Sequence, residues 1–186
     1  ALQRLVDRGL LTRRRGVGTI VSPRHVHRPM ELTSLMRDLV NAGHKVHTTI
    51  QRYEARPANA QEADVLKITE GTLIVHIERT RFANDEPIAV LTNFIPTDIA
   101  PTMQELESAS LYDLMRERGV TLASARQVIG ARSATTKEAK LLSEHRGAAL
   151  LTTQRTTYDP SGRIVEYGNH IYRASRYSFE TSLFAQ

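Results

Sequence analysis

Cysteine is absent from this sequence, which excludes disulfides, thiol nucleophiles and any zinc site built on thiolates. No apolar run approaches the roughly 18 residues that a membrane-spanning helix needs, and no signal-peptide pattern is present. A cytoplasmic protein with no membrane partner is expected to be composed this way. Also missing are a Gly-x-Ser-x-Gly elbow, a phosphate-binding P-loop and a histidine cluster at metal-ligand spacing. The pair His25-x-His27 has no third ligand and reads as part of a linker. No metal, no cofactor and no catalytic residue is therefore expected. What is there is ordinary for a globular chain: 186 residues, 40% of them hydrophobic and 24% charged. That suffices for one average domain and part of a second.

The charge is unevenly placed. Residues 1–28 hold seven arginines (Arg4, Arg8, Arg13, Arg14, Arg15, Arg24 and Arg28) against Asp7, while the whole chain is only +5. A basic segment attached to a nearly neutral domain suits a polyanionic partner. Ala1–Arg8 reads as the end of an amphipathic helix with Leu2, Leu5 and Val6 on one face, and Gly9 follows as its cap. Leu10–Arg15 and Thr19–Ser22 read as two strands around Gly16-Val17-Gly18. Helix, glycine and basic hairpin is the layout of a winged helix. Its arginines would lie along phosphates and its side-chain-free tip would enter a minor groove. On the residues alone the alternative is a solvated basic hairpin, and the layout favours DNA binding over it. Residues 23–32, with two prolines and two histidines, read as a linker.

Residues 33–96 align without a gap to residues 109–172, at a constant offset of 76. From Ile50 to Pro96, 13 of 47 positions are identical to their partners, among them Gln51/Gln127, Glu62/Glu138, Gly71/Gly147, Arg79/Arg155 and Ile95/Ile171. The remainder is a pseudo-symmetric domain made from one unit used twice. In each unit a serine (Ser34, Ser110) stands as N-cap before an amphipathic helix ended by glycine (Gly43, Gly119). A strand follows, then a short helix opened by a capping-box spacing (Asn59-x-x-Glu62, Thr135-x-x-Glu138), then a β-hairpin. The expected fold is α+β, with six mostly antiparallel strands in one sheet and the helices gathered on one side.

A duplication brings the two helix starts at Ser34 and Ser110 together, and helix N-termini favour anions. Arg79 and Arg81 leave the same face of a strand, where an anion between them would relieve their repulsion. Simple surface pairing with Glu78 or Glu86 explains the same residues, and the spacing does not separate the two readings.

ALQRLVDRGLLTRRRGVGTIVS resembles the closing part of the winged helix of GntR-superfamily regulators: recognition helix, Gly-Leu-Leu, then a wing with Gly-x-Gly-Thr. The match begins inside the recognition helix, so residues 1–22 are expected to be the C-terminal part of that domain and insufficient for specific DNA reading alone. The resemblance implies double-stranded DNA as partner, contacted through Arg4, Arg13, Arg14, Arg15, Gly16, Gly18 and Thr19. Residues 33–186 resemble the UTRA effector domain of the HutC subfamily, with its chorismate-lyase-like fold. The residues that carry this are Arg79-Thr80-Arg81, Asn84-Asp85-Glu86-Pro87-Ile88, Phe94-Ile95-Pro96, Ser110-Leu111-Tyr112 and Ile164-Val165-Glu166-Tyr167…Tyr172-Arg173. This resemblance implies a homodimeric transcriptional regulator, most simply a repressor, that responds to a small organic anion. It implies that Thr33, Ser34, Arg79, Arg81 and Ser110 hold a phosphate or carboxylate. Glu166 and Tyr172 would meet the polar body of the ligand, and Tyr112 would line the pocket. Many members that respond to sugar phosphates carry a glutamate four residues after the hairpin proline, and here that position is Leu91. A chorismate-lyase-like enzyme and a ligand-independent DNA-binding dimer are the alternative functions.

Overall fold

The computed structural model describes residues 11–14, 18–21, 26–29 and 32–181. The expected helix at 1–8, together with Arg4, Arg15 and Gly16, lies outside the described residues. Leu11–Arg14 (β1) and Gly18–Val21 (β2) pair antiparallel, with Arg13 opposite Thr19 and Arg14 opposite Gly18, which is the expected hairpin. Val26–Pro29 (β3) follows. The large domain then runs α1 (Leu35–Asn41), β4 (Val46–Pro57), α2 (Ala60–Leu66), β5 (Leu73–Ala83), β6 (Glu86–Pro96), α3 (Met103–Ser108), α4 (Leu111–Glu117), β7 (Ser124–Ser133), α5 (Thr136–Leu141), β8 (Ala149–Tyr158), β9 (Ile164–Arg173) and β10 (Tyr177–Glu180). No described helix is long and apolar enough to cross a membrane. Within the segment read as a linker, β3 pairs in parallel with β10. This pairing is made backbone to backbone over four residues and leaves no apolar alternation to read.

The six-stranded sheet has the order β4-β5-β6-β9-β8-β7, and every pairing is antiparallel. That order is the duplication made visible. The outer strands β4 and β7 correspond, as do β5 and β8, and β6 meets β9 at the centre. Both capping boxes form: Asn59 Oδ1 accepts from Glu62 N at 2.9 Å, and Thr135 Oγ1 accepts from Glu138 N at 3.3 Å. The first hairpin turns on Asn84 and Asp85, both in the left-handed region at φ 51° and 65°.

The constant offset does not survive into the last strand. Arg79 faces Leu91, whereas Arg155 faces Gly168, which is 77 residues beyond Leu91. The turn after β8 is longer than the one after β5, and it displaces β9 by one residue. Strand side chains alternate, so a one-residue slip moves every side chain to the other face. Asn93 is therefore buried while its sequence match Asn169 is exposed. The positional counterpart of Asn93 is His170.

The helices are not gathered on one side. On one face Val75, Ile77 and Ile95 pack under Leu106 of α3 and Leu111 and Met115 of α4, and Leu35 and Leu39 of α1 cover Ala89, Leu91 and Tyr172. On the other, Ala63 and Leu66 of α2 pack on Ile74 and Ile164, and Ala139 of α5 packs with Val90, Leu150 and Ile171. The reason is visible in β6, which is buried at nearly every position and so needs cover on both faces.

Candidate anion-binding site

The helix starts of the two units do meet. Arg37 of α1 and Asp113 of α4, equivalent residues 76 apart, form an ion pair at 2.6 Å. Exposed as it is, the pair adds little stability, but it marks where the pseudo-axis passes. Beneath it, on the sheet face under α1 and α4, lies a cleft of about 400 Å³, open solvent at its mouth included. Thr33 to Met36 and Ser110 to Tyr112 form its walls. Its floor comes from Arg79 and Arg81 of β5, Leu91 and Asn93 of β6, Arg155 of β8, and His170 and Tyr172 of β9.

Two guanidinium groups dominate the floor. Arg79 and Arg81 are each only 2% exposed. Arg79 donates through Nη2 to Asn93 Oδ1 at 2.8 Å, and Arg81 donates through Nη1 to Thr48 Oγ1. Among the described residues, Arg79 Nε and Nη1, Arg81 Nε and the buried Ser110 hydroxyl find no partner. Burial pushes Arg79 down to about 10, the Glu166 charge acting against it. Burial, and then the neighbouring Arg79 charge, push Arg81 down to about 9. Both stay cationic at neutral pH. The surface pairing with Glu78 or Glu86 that the sequence left open does not form. Ser110 differs from its counterpart in one respect: Ser34 caps its helix by accepting from Arg37 N at 3.1 Å, whereas Ser110 makes no side-chain cap bond. Buried donors without acceptors are costly, so this arrangement favours an incoming acceptor group.

The remaining polar groups form a closed network below. Asn93 donates to Glu166 Oε1 at 2.6 Å and approaches His170 Nε2 at 3.2 Å. Thr157 donates to Glu166 Oε2 at 2.8 Å, as does Tyr112 at 3.2 Å. Arg155 donates to Gln127 at 2.7 Å and to the Tyr112 hydroxyl at 3.4 Å. Burial raises the Glu166 pKa, against the pull of Arg155 and of its three donors. Tyr112 is pushed up to about 12, by burial first and Glu166 second, and stays neutral. Gly168 makes this crowding possible: a Cβ there would come within 2.5 Å of Glu166 Oε1 and 2.6 Å of His170 Nε2.

Of the site residues read from the sequence, Thr33, Ser34, Arg79 and Arg81 line the cleft, as do Ser110, Tyr112 and Tyr172. Glu166 does not. It is fully buried behind Asn93 and Tyr112. The hairpin residues Arg13, Arg14, Gly18 and Thr19 sit in β1 and β2. Sequence reasoning missed Arg155, Asn93 and His170. Arg155 was findable, being the duplicate of Arg79. His170 and Asn93 needed the register of β9, which the ungapped alignment misplaces.

Residues 41–178 match the UTRA domain family. The HTH-type transcriptional repressor NagR of Bacillus subtilis is 33% identical over 182 residues, spanning 96% of this chain and 75% of the repressor. The crystal structure of PhnF from Mycobacterium smegmatis superposes with a TM-score of 0.88, covering 100% of this chain and 83% of that one; at 23% identity this is a likeness of fold. A structure described as a transcriptional regulator from Streptomyces coelicolor is 46% identical, with a TM-score of 0.70 over 77% of this chain and 96% of the other. This chain belongs to the UTRA domain family, among the HutC-like transcriptional regulators of the GntR superfamily.

Proposed function

We propose that this chain is the effector-receiving part of a cytoplasmic transcriptional repressor whose affinity for its DNA operator changes when a small organic anion enters the cleft. A sugar phosphate, a phosphonate and a carboxylate all fall within that class. The observation that carries the reading is the set of unpartnered buried donors on Arg79, Arg81 and Ser110 within one cavity. The arginines would take the anion's oxygens, Ser110 would donate from one side, and Thr33 and Ser34 would close the other, with Tyr112 and Tyr172 as walls. Glu166 serves from behind by fixing Asn93 and Tyr112. An acid enclosed in this way is poorly placed to move protons on a ligand, which supports a receptor over an enzyme.

In this reading residues 1–22 are the closing part of the winged helix, 23–32 the connection, and 33–186 the effector domain. The connection ends at the cleft: Thr33 and Ser34 follow β3 closely and line the cavity. Ligand held at Thr33-Ser34 therefore biases how β3, and the DNA-binding elements before it, are held against the domain. A homodimer presents two such wings to a palindromic operator.

The test uses the protein with a complete winged helix. A thermal-shift screen of phosphorylated sugars, phosphonates and carboxylates supplies a stabilising anion, worth about 2.7 kcal/mol at a hundred times its Kd. Fluorescence anisotropy with operator DNA then shows that this anion changes the affinity of the wild type and leaves Arg79→Ala/Arg81→Ala unresponsive. A double variant that still responds refutes the proposal.

A further inference from the structure

The cleft counts charges and acceptors in a way that narrows its ligand. Around it, the buried ionisable groups of fixed sign are Arg79, Arg81, Arg155 and Glu166. Three guanidiniums against one carboxyl leave at least two positive charges in excess, whichever form Glu166 takes. Buried charge of one sign is tolerated when a counter-charge meets it. A carboxylate or a sulfonate supplies one such charge; a phosphate monoester or phosphonate supplies two.

Beyond the head group, the cleft has little left to receive a polyol. Asn93 Oδ1 is taken by Arg79, and its amide nitrogen by Glu166 and His170. The Tyr112 hydroxyl is engaged with Thr157, Glu166 and Arg155, that of Tyr172 with His170, and that of Thr33 with Asp38. What the cavity offers instead is apolar: Leu35, Met36, Leu91 and Leu111. Leu91 lies mid-floor, opposite Arg79 on one side and His170 on the other. A sugar hydroxyl placed against Leu91 leaves water and meets a side chain that offers it no hydrogen bond, which disfavours a polyol there.

We infer that the cleft takes a dianionic phosphate or phosphonate carried on an apolar body, in preference to a sugar phosphate or a monoanion. This rests on reading the cavity as an anion site and narrows the class of its ligand.

Isothermal titration of the 186-residue chain at pH 8 with three probes tests it. The probes are n-butyl phosphate, which is dianionic at that pH, n-pentanesulfonate, which has the same length and a tetrahedral head with one charge, and glucose 6-phosphate, which is a dianion on an uncharged polyol. Butyl phosphate is expected to bind about tenfold or more tightly than either other probe. Equal binding of the sulfonate overturns the dianion, and equal or tighter binding of glucose 6-phosphate overturns the apolar body; in both cases the anion site stands. Silence towards all three and towards inorganic phosphate overturns the anion site itself, and this inference with it.

Discussion

Gly168→Ala tests the architecture of the cleft through the sign of its effect. In a strand interior, alanine is ordinarily the better residue by about 0.5–1 kcal/mol, since glycine loses more freedom on folding. Gly168 has no left-handed φ that would forbid a side chain. Space is the obstacle. The added Cβ would stand 2.5 Å from Glu166 Oε1, 2.6 Å from His170 Nε2 and 2.8 Å from His170 Cε1. Neither neighbour yields cheaply. Glu166 is fully buried and bonded by Asn93, Thr157 and Tyr112, and His170 is buried between Asn93 and Tyr172. Overpacking of this kind costs about 1–3 kcal/mol. Displacing Glu166 also breaks its bond from Asn93, a hydrogen bond worth about 0.5–3 kcal/mol between the neutral and charged limits of the acceptor. After subtracting the alanine advantage, the expected net loss is about 3 kcal/mol, or roughly 6–12 °C in melting temperature for a domain of this size. Gly130→Ala in β7 is the control, because its Cβ would meet only Thr152 Oγ1 at 3.0 Å; it is expected to stay within about 1 kcal/mol of wild type. Thermal and urea unfolding followed by circular dichroism give both values. A Gly168→Ala protein as stable as wild type, or no worse than Gly130→Ala, refutes the crowding argument.

The paired serines separate capping from ligand contact. Ser34→Ala should cost about 1 kcal/mol through loss of its bond to Arg37 N. Ser110→Ala should leave urea stability within about 0.5 kcal/mol while weakening inorganic phosphate binding about tenfold, and a destabilised Ser110→Ala would show that the hydroxyl is not idle. Asn93→Leu strips Arg79 of an acceptor and Glu166 of a donor, so its urea midpoint should fall by the equivalent of about 3 kcal/mol; an unchanged midpoint removes the network from the stability account. Acid unfolding should be eased by Glu138, which its hydrogen bond from Arg132 pulls from 4.5 to about 2. A folded pKa below the unfolded one gives stability that is present above pH 4.5 and lost as pH falls towards 2. Glu138→Gln should flatten the fall in melting temperature across that window, Glu62 and Asp98 supplying what remains of it. Identical slopes for variant and wild type would contradict this.

How much of this was readable in advance depended on the range over which each signal acts. Capping boxes act over three residues, so Asn59/Glu62 and Thr135/Glu138 were legible, and Thr102-x-x-Glu105 of α3 carries the same signature just outside the repeat. The arginine pair of the cleft was legible because strand alternation places residues two apart on one face. What escaped is set by contacts between strands. Whether β6 needs cover on both faces, whether β3 finds β10, and which face His170 takes depend on pairing partners distant in sequence. The register slip shows why internal similarity is a weaker guide than it looks. Asn93 and Asn169 remain identical although they face opposite sides of the sheet, so the match between copies reports ancestry and not position. The two copies also differ in residue type at the site. The first copy contributes Arg79 and Arg81, each of which keeps at least one buried donor without a partner. The corresponding residues of the second copy are Arg155 and Thr157, both bonded into the network around Tyr112 and Glu166. One repeat thus presents open donors to a ligand, and the other builds the enclosed network that holds them in place. A strictly symmetric sheet would have carried two half-sites facing each other and no single anion site.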